Sequence, residues 1–396
     1  MPSAGVVTGG KIGHIPSLNG LRAVAIGVVL WAHAGFPGNI AGSMGVSLFF
    51  FLSGYLITTL LRAEADRFER ISLGGFYLRR LLRIFPPMYI VIVIVLVLTW
   101  LGVLPHTASV GGTVATATFL SNYWIIFEGH EGVPAGLGVF WSLAVEEHFY
   151  LVFPLLYIAM RKWLPNRTHQ VALLVALCVA ILGWRLLLWS NGAGPLRLYY
   201  ATDTRADALL WGAVMAIGFN PVYGEVRLPR QKWLAPVIVL VCAAIFFASS
   251  KLPGHYTIGF TVQSLAAFGI FIPVILAPDS WIGRFLNWKP VAWVGVISYS
   301  LYLTHRWALI AAEEWIPAPH VVWASAGIAA AVLLSWGMRV WVEKPLEQLR
   351  KRLSRAGEKP EEPSEKPDEP PEKPAETMEG HSNPTGDVEP RVPTQA

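Results

Sequence analysis

Arg22 and His33 are ionisable side chains inside an otherwise apolar run, LNGLRAVAIGVVLWAHAGF. Eleven residues separate them, which on a helix is three turns plus about 20° and places both on one face. Their separation along the axis is about 16 Å, roughly half the thickness of a bilayer core. A guanidinium holds anions, and an imidazole exchanges a proton near neutral pH. Lipid rejects both, so the pair points to a wet cavity or a bundle interior. The competing reading has Arg22 snorkelling to the headgroups and His33 closing a span end; the shared face argues against it.

Further polar clusters recur in apolar surroundings. In FWSLAVEEHFYLVFPLL, Glu146, Glu147 and His148 are consecutive and point about 100° apart, so one carboxylate faces a given cavity and the other needs a different partner. Which of the two faces the site is open. Asp203, Arg205 and Asp207 sit in DTRADALLWG, and Tyr299, Tyr302, His305 and Arg306 in ISYSLYLTHRWAL. Asp207 or Glu146 paired with Arg205 is the expected structural ion pair. In FYLRRLLRIFPPMYI, Arg79, Arg80 and Arg83 crowd one amphipathic turn, and Arg80 and Arg83 share a face. Guanidinium forks placed there suit phosphate groups, or else anionic lipid. Pro86 and Pro87 are expected to restart the chain into the next span. The Ser53-Gly54 pair permits close helix approach or a local break facing a cavity. The histidines are scattered without ligand-spaced carboxylates or thiolates, so no metal site is expected.

These residues need a membrane scaffold to position them. Of 396 residues, 54% are hydrophobic and 14% charged, with 17 Trp, and the mean hydropathy is +0.48. That composition reads as an all-α polytopic membrane protein. About ten spans are expected, centred on 20–37, 44–62, 85–104, 139–160, 171–190, 205–219, 234–250, 258–277, 291–312 and 320–341. Residues 114–127 read as an interfacial or re-entrant segment. The formal charge of +5 would suggest nucleic acid in a soluble chain. Here the basic residues gather in alternate loops, around Arg62–Arg83, Arg161–Arg167, Arg227–Lys232, Arg284–Lys289 and Lys344–Arg352, while 105–138 has no Lys or Arg. By the positive-inside rule both termini are cytoplasmic, and no nucleic-acid partner is expected. Cys178 and Cys242 lie in apolar runs and read as packing residues, not a disulfide. No removable signal peptide is expected at the N-terminus. The domains expected are a cytoplasmic segment over 1–16, a membrane domain over 17–349, and a tail over 350–396. In the tail Glu-Lys-Pro recurs at 358, 365 and 372, an extended, disordered composition.

From about Pro16 to Leu349 the sequence resembles the membrane-bound acyltransferase-3 family. That family includes O-antigen, peptidoglycan and exopolysaccharide O-acetylases and macrolide O-acyltransferases. Six motifs in order carry the resemblance: Arg22 with His33, FFLSGYL from Phe50 to Leu56, Arg80 with Arg83, WSLAVEEHFY from Trp141 to Tyr150, RADALLWG from Arg205 to Gly212, and SYSLYLTH from Ser298 to His305. His148 departs from the more usual Gln, and Thr304-His305-Arg306 replaces an aromatic-flanked His.

The resemblance implies an integral membrane O-acyltransferase of the bacterial plasma membrane. It would move an acyl group, acetyl from acetyl-CoA, to a hydroxyl of a carbohydrate or glycosylated acceptor, with no bound cofactor. His33 is then the general base or the carrier of an acyl intermediate, with the general base favoured. Glu146 or Glu147 would orient the imidazole, and Arg22 would hold the donor or neutralise the oxyanion. Arg79, Arg80 and Arg83, with Ser53 and Gly54, would bind the donor. Asp203, Arg205, Asp207, Tyr299, Tyr302 and His305 would support the site. The alternatives are a transporter or flippase of a glycan or lipid-linked substrate, for which no inverted repeat is visible, and an acyltransferase of a small hydroxylated metabolite.

Overall fold

The computed structural model describes residues 15–356 except Pro16, Asn39, Pro229, Arg230 and Lys232; for 351 and 353–356 only the backbone is described. The N-terminal segment up to 14, the Glu-Lys-Pro repeats and two of the basic loop residues therefore lie outside the described part. Within it the structure is helical. The chain begins with α1 (Leu18–His33), α2 (Gly42–Phe68) and α3 (Leu73–Trp100), then two short helices, α4 (Val110–Ala117) and α5 (Ser121–Glu128). Next come α6 (Trp141–Trp163), α7 (Arg167–Ser190), α8 (Pro195–Tyr200) and α9 (Thr202–Gly218). The second half holds α10 (Leu234–Ser249), α11 (Phe260–Leu276), α12 (Trp281–Leu286), α13 (Lys289–Trp315), α14 (His320–Met338) and α15 (Lys344–Ala356). Single π-helical stretches, His255–Gly259 and Arg339–Glu343, lead into α11 and α15.

Local chemistry sets several helix starts. Ser72, Ser109, Asn166 and Ser280 accept bonds from backbone amides of the first turns of α3, α4, α7 and α12, supplying acceptors for donors that have no helical partner. Every expected span falls on a helix. Six helical segments are long and apolar enough to cross a membrane: Gly42–Phe68, Leu73–Trp100, Leu137–Trp163, Arg167–Ser190, His255–Leu276 and His320–Arg350. α1 and α10 are shorter apolar helices. The segment around 114–127 divides between α4 and α5, eight residues each. In the most apolar window of α7 only 17% of residues are buried, and Val179, Leu186 and Leu187 face outward, as lipid contact requires. By length and composition these helices are consistent with a polytopic membrane protein.

One expectation is corrected. α3 does not restart at Pro86-Pro87; it runs through both. The prolines remove the donors that would bond the carbonyls of Leu82 and Arg83, yet Arg79–Arg83 and the apolar run that follows form one continuous rod.

Glycines set the closest helix pairs. A Cβ on Gly54 would lie 1.9 Å from the Leu209 carbonyl oxygen, and one on Gly212 2.1 Å from that of Phe51. α2 and α9 therefore touch backbone to backbone, the close approach small residues allow. A Cβ on Gly295 would lie 1.8 Å from the Asn19 carbonyl oxygen, which ties α13 to the start of α1. A Cβ on Gly45 would lie 2.3 Å from the Ala25 carbonyl oxygen, which ties α2 to α1, so α1, α2 and α13, the helices that carry Arg22, Ser53 and His305, come together.

Candidate active site

α1 delivers Arg22 to one end of the bundle and His33 to the other. Arg22 lines a cavity of about 250 Å³ with Ser53, Arg80, Arg83, Glu146, Tyr150, Tyr299 and Tyr302, backed by Phe49, Leu52, Leu56 and Leu60. His33 lines a second cavity, of about 450 Å³, with His130, Gly136, Trp141, Tyr199, Tyr200, Tyr302 and Arg306. Val46 and Tyr302 belong to the walls of both. The two cavities thus meet at one residue pair in the bundle interior.

In the arginine cavity the charges are uneven. Arg22 Nη1 donates to Asn19 Oδ1 over a long 3.3 Å, and Arg80 lies over the Tyr150 and Phe76 rings at 5.3 and 5.8 Å. Among the described residues no carboxylate forms an ion pair with Arg22, Arg80 or Arg83, whereas Arg62, Arg79, Arg161, Arg167, Arg185, Arg197 and Arg339 are paired. Glu146 accepts from Ser53 Oγ and from the Tyr150 hydroxyl, both at 3.0 Å. The neighbouring Glu147 has a buried Oε1 without a hydrogen-bond partner. Tyr299 closes this end by donating to the Ile84 carbonyl at 2.7 Å, which pins α13 to the arginine-bearing α3.

The histidine cavity is built around a pair of imidazoles. His33 Nδ1 and His305 Nε2 are 2.9 Å apart, with ring centroids 5.1 Å apart and planes inclined by 22°. His305 Nδ1 faces the Tyr302 carbonyl at 2.8 Å and the Leu301 carbonyl at 3.2 Å. Carbonyls only accept, so this nitrogen carries the hydrogen. In the neutral pair His305 Nε2 is then an acceptor, His33 Nδ1 donates to it, and His33 Nε2 keeps its lone pair. That nitrogen lies 3.8 Å from where a Cβ on Gly42 would stand. The Arg306 guanidinium points at the His33 carbonyl at 3.5 Å. In the adjoining loop His130 approaches the Tyr200 hydroxyl at 3.3 Å. Burial first, and Arg306 second, hold the His130 imidazole below its ordinary value. Tyr302 separates the cavities; its hydroxyl donates to the Val139 carbonyl at 2.9 Å and accepts from Ser142 Oγ at 2.6 Å.

The remaining expected residues divide. Arg80, Arg83, Ser53, Tyr299 and Tyr302 line the arginine cavity, and His305 backs His33. Gly54 is packed on α9. Arg79 turns away to Glu64, 2.8 Å from it. Neither expected pairing with Arg205 forms. Asp207 pairs with Arg185 at 2.8 Å, both fully buried, because α7 and not the residue's own turn faces its carboxylate. Arg205 lies over the Phe260 ring at 3.5 Å and donates to Ser47 Oγ at 3.1 Å. Asp203 takes Arg197 at 2.5 Å. The imidazole beside His33 is that of His305, while Glu146 is engaged with Ser53 and Tyr150 in the other cavity, so among the described residues no carboxylate orients His33 directly. His148 bonds Thr202 Oγ1 at 2.8 Å and lines neither cavity. Arg185, Tyr150 and His130 were not anticipated. Arg185 sits in GWRLLLW and gave the same signal as Arg22, an ionisable residue within a span. His130 gave none.

Helices thus enclose a guanidinium-lined cavity and, adjoining it, a cavity with an imidazole pair, groups whose chemistry suits an anion and a proton transfer. A profile of the acyltransferase 3 family, described as an acyltransferase domain, matches residues 15–340. The chain belongs to this family. It is 33% identical over 309 residues to the peptidoglycan O-acetyltransferase OatA of Listeria monocytogenes, an alignment covering 74% of this chain and 49% of that protein. It is also 33% identical over 310 residues to the putative peptidoglycan O-acetyltransferase YrhL of Bacillus subtilis, covering 74% and 48%. A putative O-acetyltransferase of Staphylococcus aureus, SACOL0978, is 30% identical over 308 residues, covering 74% and 50%. The chain therefore spans about half the length of the curated relatives it matches. No solved structure matches.

Proposed function

We propose that the protein transfers an acetyl group from acetyl-CoA to a hydroxyl of a cell-envelope glycan. The carrying observation is the meeting of two unlike cavities at Tyr302, one with guanidinia lacking carboxylate partners and one with the free nitrogen of His33. Coenzyme A carries a pyrophosphate and a ribose phosphate, the groups that Arg80 and Arg83 suit. The apolar wall of Phe49, Leu52 and Leu56 suits the pantetheine arm.

In this reading ten helices cross the plasma membrane: α1, α2, α3, α6, α7, α9, α10, α11, α13 and α14. Both termini are cytoplasmic, the arginine cavity opens to the cytoplasm, and the loop between α3 and α6 lies outside. The acceptor enters the histidine cavity, where Trp141, Tyr199 and Tyr200 present rings to a sugar face. His33 Nε2 takes the hydroxyl proton as the oxygen attacks the thioester carbon. The tetrahedral oxyanion collapses, expels the coenzyme A thiolate, and the proton on His33 passes to the sulfur. Arg22 steadies the donor. Peptidoglycan, named for the Listeria relative, is the first acceptor to try.

The test is turnover of radiolabelled acetyl-CoA by purified protein in detergent, with water or muramyl glycan as acceptor. Release of coenzyme A that is lost in His33→Ala supports the enzyme. Absence of any turnover by the wild-type chain, with counterflow of a glycan in vesicles, would establish the transporter instead.

A further inference from the structure

Beside the arginine cavity lies another, of about 250 Å³, which shares Arg22, Arg83, Ser298 and Tyr299 with it and adds Arg339 and Arg350. It is walled by α3, α13 and the segment from the π-helical stretch into α15. Its acidic residues are already occupied. Glu343 and Glu347 accept from the two terminal nitrogens of Arg339 at 3.3 and 2.8 Å, and Glu343 also accepts from Ser300. Arg339 is thereby fixed as scaffold. Arg350 and Arg83 line the same hollow as Arg339, where the like charge of Arg83, Arg339 and Arg79 acts on Arg350 and Glu347 is the opposing charge. Guanidinia held against one another around a hollow raise the potential there, and an anion relieves it.

Coenzyme A has its charge in two places: a pyrophosphate next to the pantetheine arm, and a phosphate monoester on the far ribose carbon. The arginine cavity is half apolar and offers three guanidinia, enough for the pyrophosphate end of the arm. We propose that the adjoining cavity is the nucleotide end of the donor site and that Arg350 takes the ribose 3′-phosphate, with Arg83 and Arg22 shared between the two phosphate groups. This rests on the acyl-CoA reading above. The same phosphate-monoester chemistry could be offered by an anionic lipid headgroup, and the test separates the two.

Binding of coenzyme A and of 3′-dephospho-coenzyme A is measured calorimetrically on the full chain, in neutral detergent and in nanodiscs with and without phosphatidic acid. The wild-type chain should prefer coenzyme A about tenfold, the ratio expected for one charge-assisted hydrogen-bonded contact. Arg350→Ala should bring that ratio to about one, and Arg350→Lys should leave an intermediate value because a point charge replaces the fork. A preference retained in Arg350→Ala overturns the proposal. So does a wild-type chain that binds both compounds equally, or an Arg350→Ala effect confined to phosphatidic acid, which would make the cavity a lipid site. Each of these leaves acetyl-CoA turnover standing. A wild-type chain that neither binds coenzyme A nor turns over acetyl-CoA removes the underlying reading as well.

Discussion

His33 and His305 are 272 residues apart in sequence, and their facing ring nitrogens are 2.9 Å apart. Because the far nitrogen of His305 is committed to two backbone carbonyls, the hydrogen between the rings belongs to His33. In the proposed mechanism His305 is therefore a positioning residue that leaves the Nε2 lone pair of His33 to the cavity. His33→Ala should abolish acetyl transfer. His305→Gln should lower kcat about 100-fold, the scale of a displaced general base, while the donor KM stays near its wild-type value. Steady-state kinetics with both variants check this. A wild-type kcat in His305→Gln would refute the tautomer argument.

The same pair separates two chemical routes. A general base leaves the protein unmodified when acceptor is withheld, whereas an acyl-imidazole would carry the label of acetyl-CoA on His33. Intact-protein mass spectrometry after rapid quenching should show no adduct.

Arg79, Arg80 and Arg83 are near neighbours in sequence but not equivalent in space. Arg80→Ala and Arg83→Ala should each raise the acetyl-CoA KM about tenfold, with partial rescue by Lys. Arg79→Ala breaks an ion pair with Glu64 that is partly exposed and should leave the KM within about twofold. An equal effect at all three positions would return the cluster to a general basic surface.

Val110 and Arg70 are both exposed and sit on loops assigned to opposite sides of the membrane. In a cysteine-free background, Val110→Cys should react with an impermeant maleimide added to intact cells. Arg70→Cys should react only after lysis. Labelling of both from outside would reverse the donor assignment.

His130 links pH to stability. Its folded value lies below the ordinary value of about 6.5, so between the two the unfolded chain binds more protons than the folded one. Stability is therefore lost as pH falls from about 6.5 toward the folded value. Thermal unfolding in detergent should show a steeper acid-side loss for the wild-type chain than for His130→Gln.

Gly54→Leu should prevent assembly, since its first side-chain atom would fall 1.9 Å from a backbone oxygen of α9. Gly74, whose Cβ position meets nothing within 4 Å, should accept Ala without loss. Yield and monodispersity on size exclusion read the contrast.

Much of this protein is local and was legible in the sequence. Apolar length marked the helices, 3.6-residue periodicity put Arg22 and His33 on one face, and the spacing of Arg80 and Arg83 put two forks on another. Partners were not legible. Periodicity says which way a side chain leaves its own helix and nothing about what meets it. Asp207 takes Arg185 and not Arg205, Arg79 takes Glu64, and Glu146 accepts from Ser53. Those choices follow from how the helices are rotated and how closely they approach, and backbone contacts at Gly54, Gly212 and Gly295 fix that for α2 against α9 and for α13 against α1. His33 alone is an ionisable residue near the end of a span. It acquires a defined hydrogen and a free lone pair only because packing brings α13 against α1 and sets its Nδ1 against the Nε2 of His305, whose own Nδ1 is held by the Tyr302 and Leu301 carbonyls of α13.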